Sequence, residues 1–391
     1  MTRPRARDCG ITIGTLPTGP FNAITDVAGV RVGHVTLIEG EGPLVPGVGP
    51  VRTGLTAIQP HDSDIFTSKV PAAIHSLNGF GEVTGAPQVR EMGVLEAPIL
   101  LTGSFNVAHA MDGALEWAMR EDPQIGISNW GPNVVVAECS DMYLSDVRGR
   151  AVTSEYVIAA IDAASSGPVA EGGVGGGTGM SCCEFKAGIG TSSRVISAGL
   201  GGYTVGALVM SNFGRREHLV IDGVPVGREL ADWEPPASVG NPDEMGTSII
   251  IVLATDAPLD PRQLDRLAVR AGAGLARAGG LFSTSSGDFV IAFSNANRIP
   301  HHPTQRVLNQ QIVIESLMVG EGWPGRVLIS ELFQAAAEAT EEAILNALFS
   351  AEAMIGRDGH VRHALPIDEV VRIMRQYGRL GAHVPPASDA I

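Results

Sequence analysis

Runs of apolar and β-branched residues, separated by glycine and polar turns, dominate the chain and predict strands. These runs lie at residues 23–27, 29–35, 134–137, 203–211, 249–254 and 289–294. Helical spacing of apolar residues predicts helices at residues 106–121, 155–164, 261–277, 330–353 and 367–377. Because strands and helices come in groups instead of alternating regularly, the pattern indicates an α/β layered sandwich.

Three of the helices carry more specific signals. Asp260 followed by Pro261 is typical of an N-cap and a first helical position, and Ser330 is predicted to cap the long helix. The helix over residues 106–121 is predicted to carry Val107, Met111, Leu115 and Met119 on one face. The helix after Asp260 is predicted to bury Leu264, Leu267, Ala271 and Leu275.

Composition narrows the possible partners. The 391 residues are 44% hydrophobic and 18% charged, which allows a sizeable core. Lys and Arg number 27 against 42 acidic residues, so the net charge is −15. That charge excludes electrostatic binding to nucleic acid or to an anionic membrane. An aromatic content of 5% argues against a surface on which nucleic-acid bases stack. The pattern favours a protein that acts on small molecules or peptides.

Location is predicted from what the sequence lacks. No apolar segment follows the basic start of the chain, and no apolar run approaches the ~20 residues that span a bilayer. The cysteines have neither metal-ligand nor disulfide spacing; they are Cys9, Cys139, Cys182 and Cys183. We therefore expect a cytoplasmic protein with reduced thiols.

Common catalytic motifs are missing. The glycine run at residues 172–179 has neither dinucleotide-binding nor phosphate-loop spacing, so it predicts a tight structural turn. His301 and His302 have no acidic partner at ligand spacing, and we expect no metal. Residues 246–250 start like a serine-hydrolase elbow but lack its closing glycine.

A hydroxyl residue stands where a polar, proline-rich loop at residues 232–245 meets the strand at residues 249–254. This placement suits a self-cleaving precursor, in which the hydroxyl attacks the preceding carbonyl and water then releases a new N-terminus. The freed amine, with an ordinary pKa of roughly 7.7–8.0, can serve as base for its own hydroxyl. Taken alone, the junction is weak evidence, because a serine at a loop-to-strand boundary is far more often an ordinary turn residue.

Several ordered motifs resemble those of the L-aminopeptidase/D-esterase family, which includes the β-peptidyl aminopeptidases. The matching segments are residues 24–34, 76–82, 175–180, 247–259 and 285–294, and the resemblance as a whole extends over nearly the entire chain. The resemblance implies a four-layer αββα sandwich, similar to N-terminal-nucleophile hydrolases but connected differently. It also implies self-cleavage into a large subunit, residues 1–247, and a small subunit, residues 248–391, that form one globular domain.

The family resemblance implies specific roles for single residues. Ser248 matches the nucleophile, since it precedes Thr255 by seven positions. Asn212 would stabilise the oxyanion, whereas without the resemblance we would favour a simple Asx turn at the strand end. Ser286 and Asp288 would form the hydrogen-bond network around the nucleophile. Glu138 would bind the free ammonium of the substrate.

Two positions depart from the family pattern. Thr247 stands where Gly or Asn is usual before the cut, and cleavage after Gly246 would make Thr247 the nucleophile. We favour Ser248, because a shift of one residue turns a side chain to the opposite face of a strand. Ser140 stands where some relatives have an aromatic residue, and Tyr143 is a candidate replacement for that ring.

The leading hypothesis is thus a self-processing aminopeptidase that releases N-terminal residues from short peptides, amides or esters with a free amino group. It needs no cofactor and forms a homo-oligomer, expected to be a tetramer of large–small pairs. One alternative is an uncleaved, non-catalytic binding or structural oligomer, which Thr247 keeps open. Another is a related amide hydrolase that acts on ω-amino acid oligomers.

Overall fold

The computed structural model of the chain describes residues 3–235, 247–304, 310–313 and 327–380. Within those ranges, the strands are β1 (Arg31–Glu39), β2 (Val51–Gln59), β3 (Ser68–Gly79), β4 (Val94–Leu95), β5 (Ile99–Gly103), β6 (Val135–Cys139), β7 (Ser181–Cys182), β8 (Phe185–Lys186), β9 (Ile189–Val195), β10 (Thr204–Asn212), β11 (Ser248–Thr255), β12 (Gly287–Ser294), β13 (Ile299–Pro300), β14 (Met354–Ile355) and β15 (Val361–Arg362). The α-helices are α1 (Ala86–Met92), α2 (Val107–Glu121), α3 (Ser154–Asp162), α4 (Val226–Glu229), α5 (Pro261–Arg277), α6 (Leu328–Ser350) and α7 (Ile367–Gln376).

Most of the strands form two sheets. A four-stranded sheet has the order β1-β2-β5-β6, and a seven-stranded sheet has the order β13-β3-β12-β11-β10-β9, with β4 added beside β3. Neighbouring strands are antiparallel except at two places, where β5 runs parallel to β6 and β11 runs parallel to β12. The strand that begins at Ser248 therefore lies in the middle of the larger sheet.

Three separate apolar cores arrange these elements in four layers. One core packs α2 and α3 against the four-stranded sheet, and another packs α5 and α6 against the seven-stranded sheet. The third joins the two sheets face to face. Along β11 the side chains alternate between two cores: Ile250 and Val252 face the other sheet, while Ile249 and Ile251 face the helices. The predicted αββα sandwich is confirmed.

Helix α5 is confirmed in detail. Asp260 accepts a hydrogen bond from the Gln263 backbone N–H at 2.7 Å, and Pro261 is the first helical residue. The four residues predicted to face the core are all buried. The signals for its start, the N-cap and the proline, are adjacent in the sequence, so the sequence alone suffices to predict where the helix begins.

Two predicted details are wrong, and the packing of helix α2 adds a third observation. Residues 23–27 form a 3₁₀ turn, because the Asp26 carboxylate accepts hydrogen bonds from two preceding backbone N–H groups. Ser330 lies inside α6, which starts at Leu328. In helix α2 the small residues are fully buried, since α3 approaches so closely that a Cβ on Gly113 would lie 2.7 Å from Val157. Three of the apolar residues predicted to share a face of α2 are partly buried against the same core; they are Val107, Met111 and Leu115. Met119 is 46% exposed.

The glycine run packs backbone against backbone, as predicted for a structural turn. A Cβ on Gly176 would lie 2.5 Å from the Leu101 carbonyl oxygen, and one on Gly177 would lie 2.4 Å from the Ile189 nitrogen. Of the predicted polar loop at residues 232–245, only residues 232–235 are described, and they form turn and coil. The remainder of that prediction lies outside the described residues.

Candidate active site

Ser248 and Thr247 take opposite sides of the seven-stranded sheet. Ser248 pairs across the antiparallel ladder with Asn212 and shares the face of Ile250, which is directed at the four-stranded sheet. Its Oγ accepts a hydrogen bond from the Gly287 N–H at 3.1 Å. The Thr247 hydroxyl instead donates to the Ser285 carbonyl at 2.7 Å. Of the two hydroxyls, only that of Ser248 faces the gap between the sheets.

Asn212 is held rigidly opposite Ser248 at the end of β10. Its side chain is buried, its Oδ1 accepts from the Ser181 N–H at 2.9 Å, and its Nδ2 donates to the Ser140 carbonyl at 2.9 Å. Both partners are remote in sequence, so the amide is not an Asx turn. An amide nitrogen carries two N–H donors, and the Asn212 Nδ2 makes one hydrogen bond among the described residues.

Ser286 and Asp288 form a buried pair on either side of Gly287. The Ser286 hydroxyl donates to Asp288 Oδ1 at 2.6 Å, while Asp288 Oδ2 has no hydrogen-bond partner among the described residues. Burial raises the pKa of Asp288 to about 6, although the Ser286 hydrogen bond opposes that rise. The pair contacts Ser248 through the Gly287 backbone, not through the Ser286 hydroxyl.

Glu138 reaches this region from β6 of the other sheet. Its Oε1 accepts from the Glu82 N–H at 3.1 Å, and its Oε2 accepts a short hydrogen bond from the Ser104 hydroxyl. A Cβ on Gly81 would lie 3.0 Å from Glu138 Oε1 and 3.3 Å from Gly287 Cα. Gly81 alone thus separates the carboxylate from the residue that contacts the Ser248 hydroxyl.

The buried Lys186 contributes indirectly to the position of Asn212, through the glycine turn and Ser181. Lys186 Nζ donates to the Gly177 carbonyl at 3.1 Å and to the Met180 carbonyl at 2.9 Å, which fixes the glycine turn just before Ser181. Burial lowers the pKa of Lys186 to about 7. Ser181 in turn provides the N–H that orients Asn212.

Sequence reasoning missed several supporting groups. They are Gly81, Ser104, Ser181, Lys186 and the Gly287 N–H. Gly81 lies in a matched motif, residues 76–82, for which the sequence suggested no role. Tyr143 stacks on His360 at 4.7 Å between ring centroids and lies under the Arg362 guanidinium, so its described contacts are with β15 and the turn before it.

Two general properties complete the description. The described residues contain no grouping of three or more His, Cys, Asp or Glu side chains placed to hold a metal ion. Across the same ranges, every helix is too short or too polar to span a bilayer.

Comparison with known proteins gives a consistent result. The model of peptidase family S58 matches residues 22–362. Beta-peptidyl aminopeptidase BapA of Sphingosinicella microcystinivorans is 43% identical over 388 residues, covering 97% of this chain and 94% of that protein. A Burkholderia sp. beta-aminopeptidase structure has a TM-score of 0.84 at 42% identity, covering 96% of this chain and 99% of that one.

A third relative links the fold to its chemistry. The L-aminopeptidase D-Ala-esterase/amidase of Ochrobactrum anthropi superposes with a TM-score of 0.85 at 39% identity, covering 97% of this chain and all of that one. That structure is described as a prototype of the serine aminopeptidases and a variant of the Ntn hydrolase fold. These matches decide against a non-catalytic protein. The chain belongs to peptidase family S58, in which self-processing is characteristic, and is a serine aminopeptidase.

Proposed function

We propose that the chain cuts itself between Thr247 and Ser248, giving a large fragment of residues 1–247 and a small fragment of residues 248–391. The observation that carries this choice is the orientation of the two hydroxyls: the Ser248 Oγ meets the Gly287 N–H, whereas the Thr247 Oγ1 is engaged with Ser285. The Ser248 Oγ attacks the Thr247 carbonyl carbon, the C–N bond breaks, and the nitrogen keeps its proton and gains the hydroxyl proton. Water then hydrolyses the ester.

The same hydroxyl would act on substrates. The Ser248 α-amine takes the Oγ proton as the oxygen attacks the substrate carbonyl, and it passes that proton to the departing nitrogen. The free N–H of Asn212 would stabilise the oxyanion, a contribution of roughly 3–4 kcal/mol to the transition state. Asp288 Oδ2, which has no hydrogen-bond partner among the described residues, would accept a hydrogen bond from the new amine.

Glu138 would select the substrate by its free ammonium group, since its carboxylate stands one glycine away from Gly287. The substrates are then short peptides, amides or esters with an unblocked amino group. The names of the relatives extend this proposal to β-amino acid residues. We also propose a cytoplasmic homo-oligomer of large–small pairs, a tetramer being the expected form.

Self-cleavage can be tested on purified protein by denaturing gel and N-terminal sequencing. Wild type should give two fragments without a helper protease, and the smaller one should begin Ser-Ile-Ile-Ile. Ser248→Ala should remain a single folded band, because the attacking oxygen is gone. Thr247→Ala is the matched control and should still be cut, since only the acyl side chain changes. A small fragment beginning Thr-Ser-Ile-Ile would overturn the assignment of Ser248.

A further inference from the structure

A cavity of about 60 Å³ opens beside Thr247 on the helix side of the seven-stranded sheet. Ser286 and Asp288 form its inner end, and Arg215, His218 and Phe282 line its outer part. The cavity is thus on the face opposite to the one that carries the Ser248 hydroxyl. Hereafter we call it the Thr247 pocket.

The chemistry of the proposed nucleophile determines what must enter this pocket, and the inference rests on that proposed function. The Ser248 α-amine occupies the place where the Thr247–Ser248 bond stood, at the edge of the Thr247 pocket. It must protonate the departing nitrogen, so that nitrogen comes within hydrogen-bond distance, roughly 2.6–3.2 Å. Because Glu138 holds the other end of the substrate on the opposite side of the sheet, the leaving residue extends from the amine towards the pocket.

The outer part of the pocket is cationic. The Arg215 side chain is exposed, and no hydrogen bond or ion pair joins its guanidinium to the described residues. His218 adds a ring nitrogen whose nearest acidic partner, Glu217, lies 3.6 Å away and is itself exposed. A guanidinium presents paired N–H donors that match the two oxygens of a carboxylate.

We propose that the Thr247 pocket binds the leaving residue and that Arg215, with His218, recognises the free α-carboxylate of that residue. The favoured substrates are then dipeptides, in which the leaving residue carries its carboxylate directly after the departing nitrogen. Amides and longer peptides place a neutral group there. The enzyme therefore binds both ends of its substrate: Glu138 binds the ammonium group, and Arg215 binds the carboxylate.

The test compares a dipeptide with the same dipeptide amidated at its C-terminus. Wild type should show a kcat/KM for the free acid at least about tenfold above that for the amide, mainly through KM, as expected for a charge-assisted contact. In Arg215→Gln this ratio should fall to near one, and Arg215→Lys should keep part of it. Arg228→Gln is the matched control: Arg228 is an exposed arginine of the nearby helix α4 that does not line the pocket, and its removal should keep the ratio.

Two results would overturn the proposal: a wild-type ratio near one, or an Arg215→Gln ratio equal to that of wild type. Self-cleavage and turnover of the amidated substrate report separately on Ser248. If neither occurs in wild type, the proposed function has failed. If both occur and only the ratio is wrong, the carboxylate subsite alone has failed.

Discussion

Asp288 is a buried carboxylate at a position where a neutral side chain would make the folded chain more stable. Its side chain is only 2% exposed, one oxygen has no hydrogen-bond partner among the described residues, and burial raises its pKa to about 6. A carboxyl whose pKa is higher in the folded than in the unfolded chain binds more protons when folded. Its ionisation therefore costs stability as the pH rises above the unfolded value of 3.8.

Replacing Asp288 by Asn should consequently stabilise the uncut chain at neutral pH. In a Ser248→Ala background, which preserves the uncut state, we expect Asp288→Asn to raise the free energy of unfolding by roughly 1–3 kcal/mol at pH 7. The gain should shrink as the pH falls from 6 to 4, because Asp288 then becomes neutral too. Denaturant titrations across that range measure it. A gain that does not change with pH would contradict the stated cause.

Glu138 gives a prediction about substrate choice. Glu138→Gln keeps an acceptor for the Glu82 N–H but removes the charge that pairs with an ammonium, so turnover of free-amine substrates should fall at least about a hundredfold. Self-cleavage involves no ammonium ligand and should continue. The check is a rate comparison between a free-amine substrate and its N-acetylated form. Equal wild-type rates on the two would remove the reason for this assignment.

At the scale of elements, the glycine turn at residues 175–180 connects a buried lysine to Asn212. Lys186→Met should remove the side-chain donor from the Gly177 and Met180 carbonyls, each of which keeps a backbone N–H donor, so we expect a cost of about 0.5–1.5 kcal/mol for each lost hydrogen bond. Because Ser181 then orients Asn212 less firmly, we expect kcat to fall while KM changes little. Lys69→Met is the matched control: Lys69 pairs with Glu96 elsewhere, so its loss should affect stability and not kcat. Equal kcat in both variants would reject this positioning role.

The elements also show which features could be predicted from the sequence. Strand β11 and helix α5 can be predicted because their signals lie in neighbouring residues of the sequence. The face of the sheet on which Ser248 lies can also be predicted, since side chains alternate along a strand. Residues 23–27 look like a strand, yet contacts with Asp26 and the distant Thr191 turn them into a 3₁₀ helix. The placement of Glu138 on one side of Gly81 and Gly287 on the other depends on how the two sheets stack. Only the family resemblance could suggest it beforehand.

At the scale of the whole molecule, the proposed fragments are interleaved. Strand β11 belongs to the small fragment and pairs with β10 of the large one, and β12 of the small fragment pairs with β3 of the large one. The apolar core that packs α5 and α6 against the seven-stranded sheet contains residues of both proposed fragments. Cleavage of one bond at the edge of this core leaves these contacts in place.

The two fragments should therefore behave as one folded unit. After self-cleavage they should co-elute in gel filtration under native conditions and separate only in denaturant. Thermal unfolding of the cut protein should remain a single transition, since neither fragment contains the complete seven-stranded sheet. Elution of the small fragment by itself in native buffer would contradict the shared core.

The chain's two lysines, Lys69 and Lys186, both precede the proposed cut, so residues 248–391 contain no side-chain amine. Once released, the α-amine of Ser248 is the single primary amine of the small fragment. It is also the base that the proposed mechanism requires. An amine-acylating reagent would therefore mark that fragment once and silence the enzyme in the same step. Migration of an acyl group from the Ser248 oxygen to this nitrogen would also inactivate the enzyme. In each turnover, hydrolysis of the ester by water therefore competes with this self-inactivation.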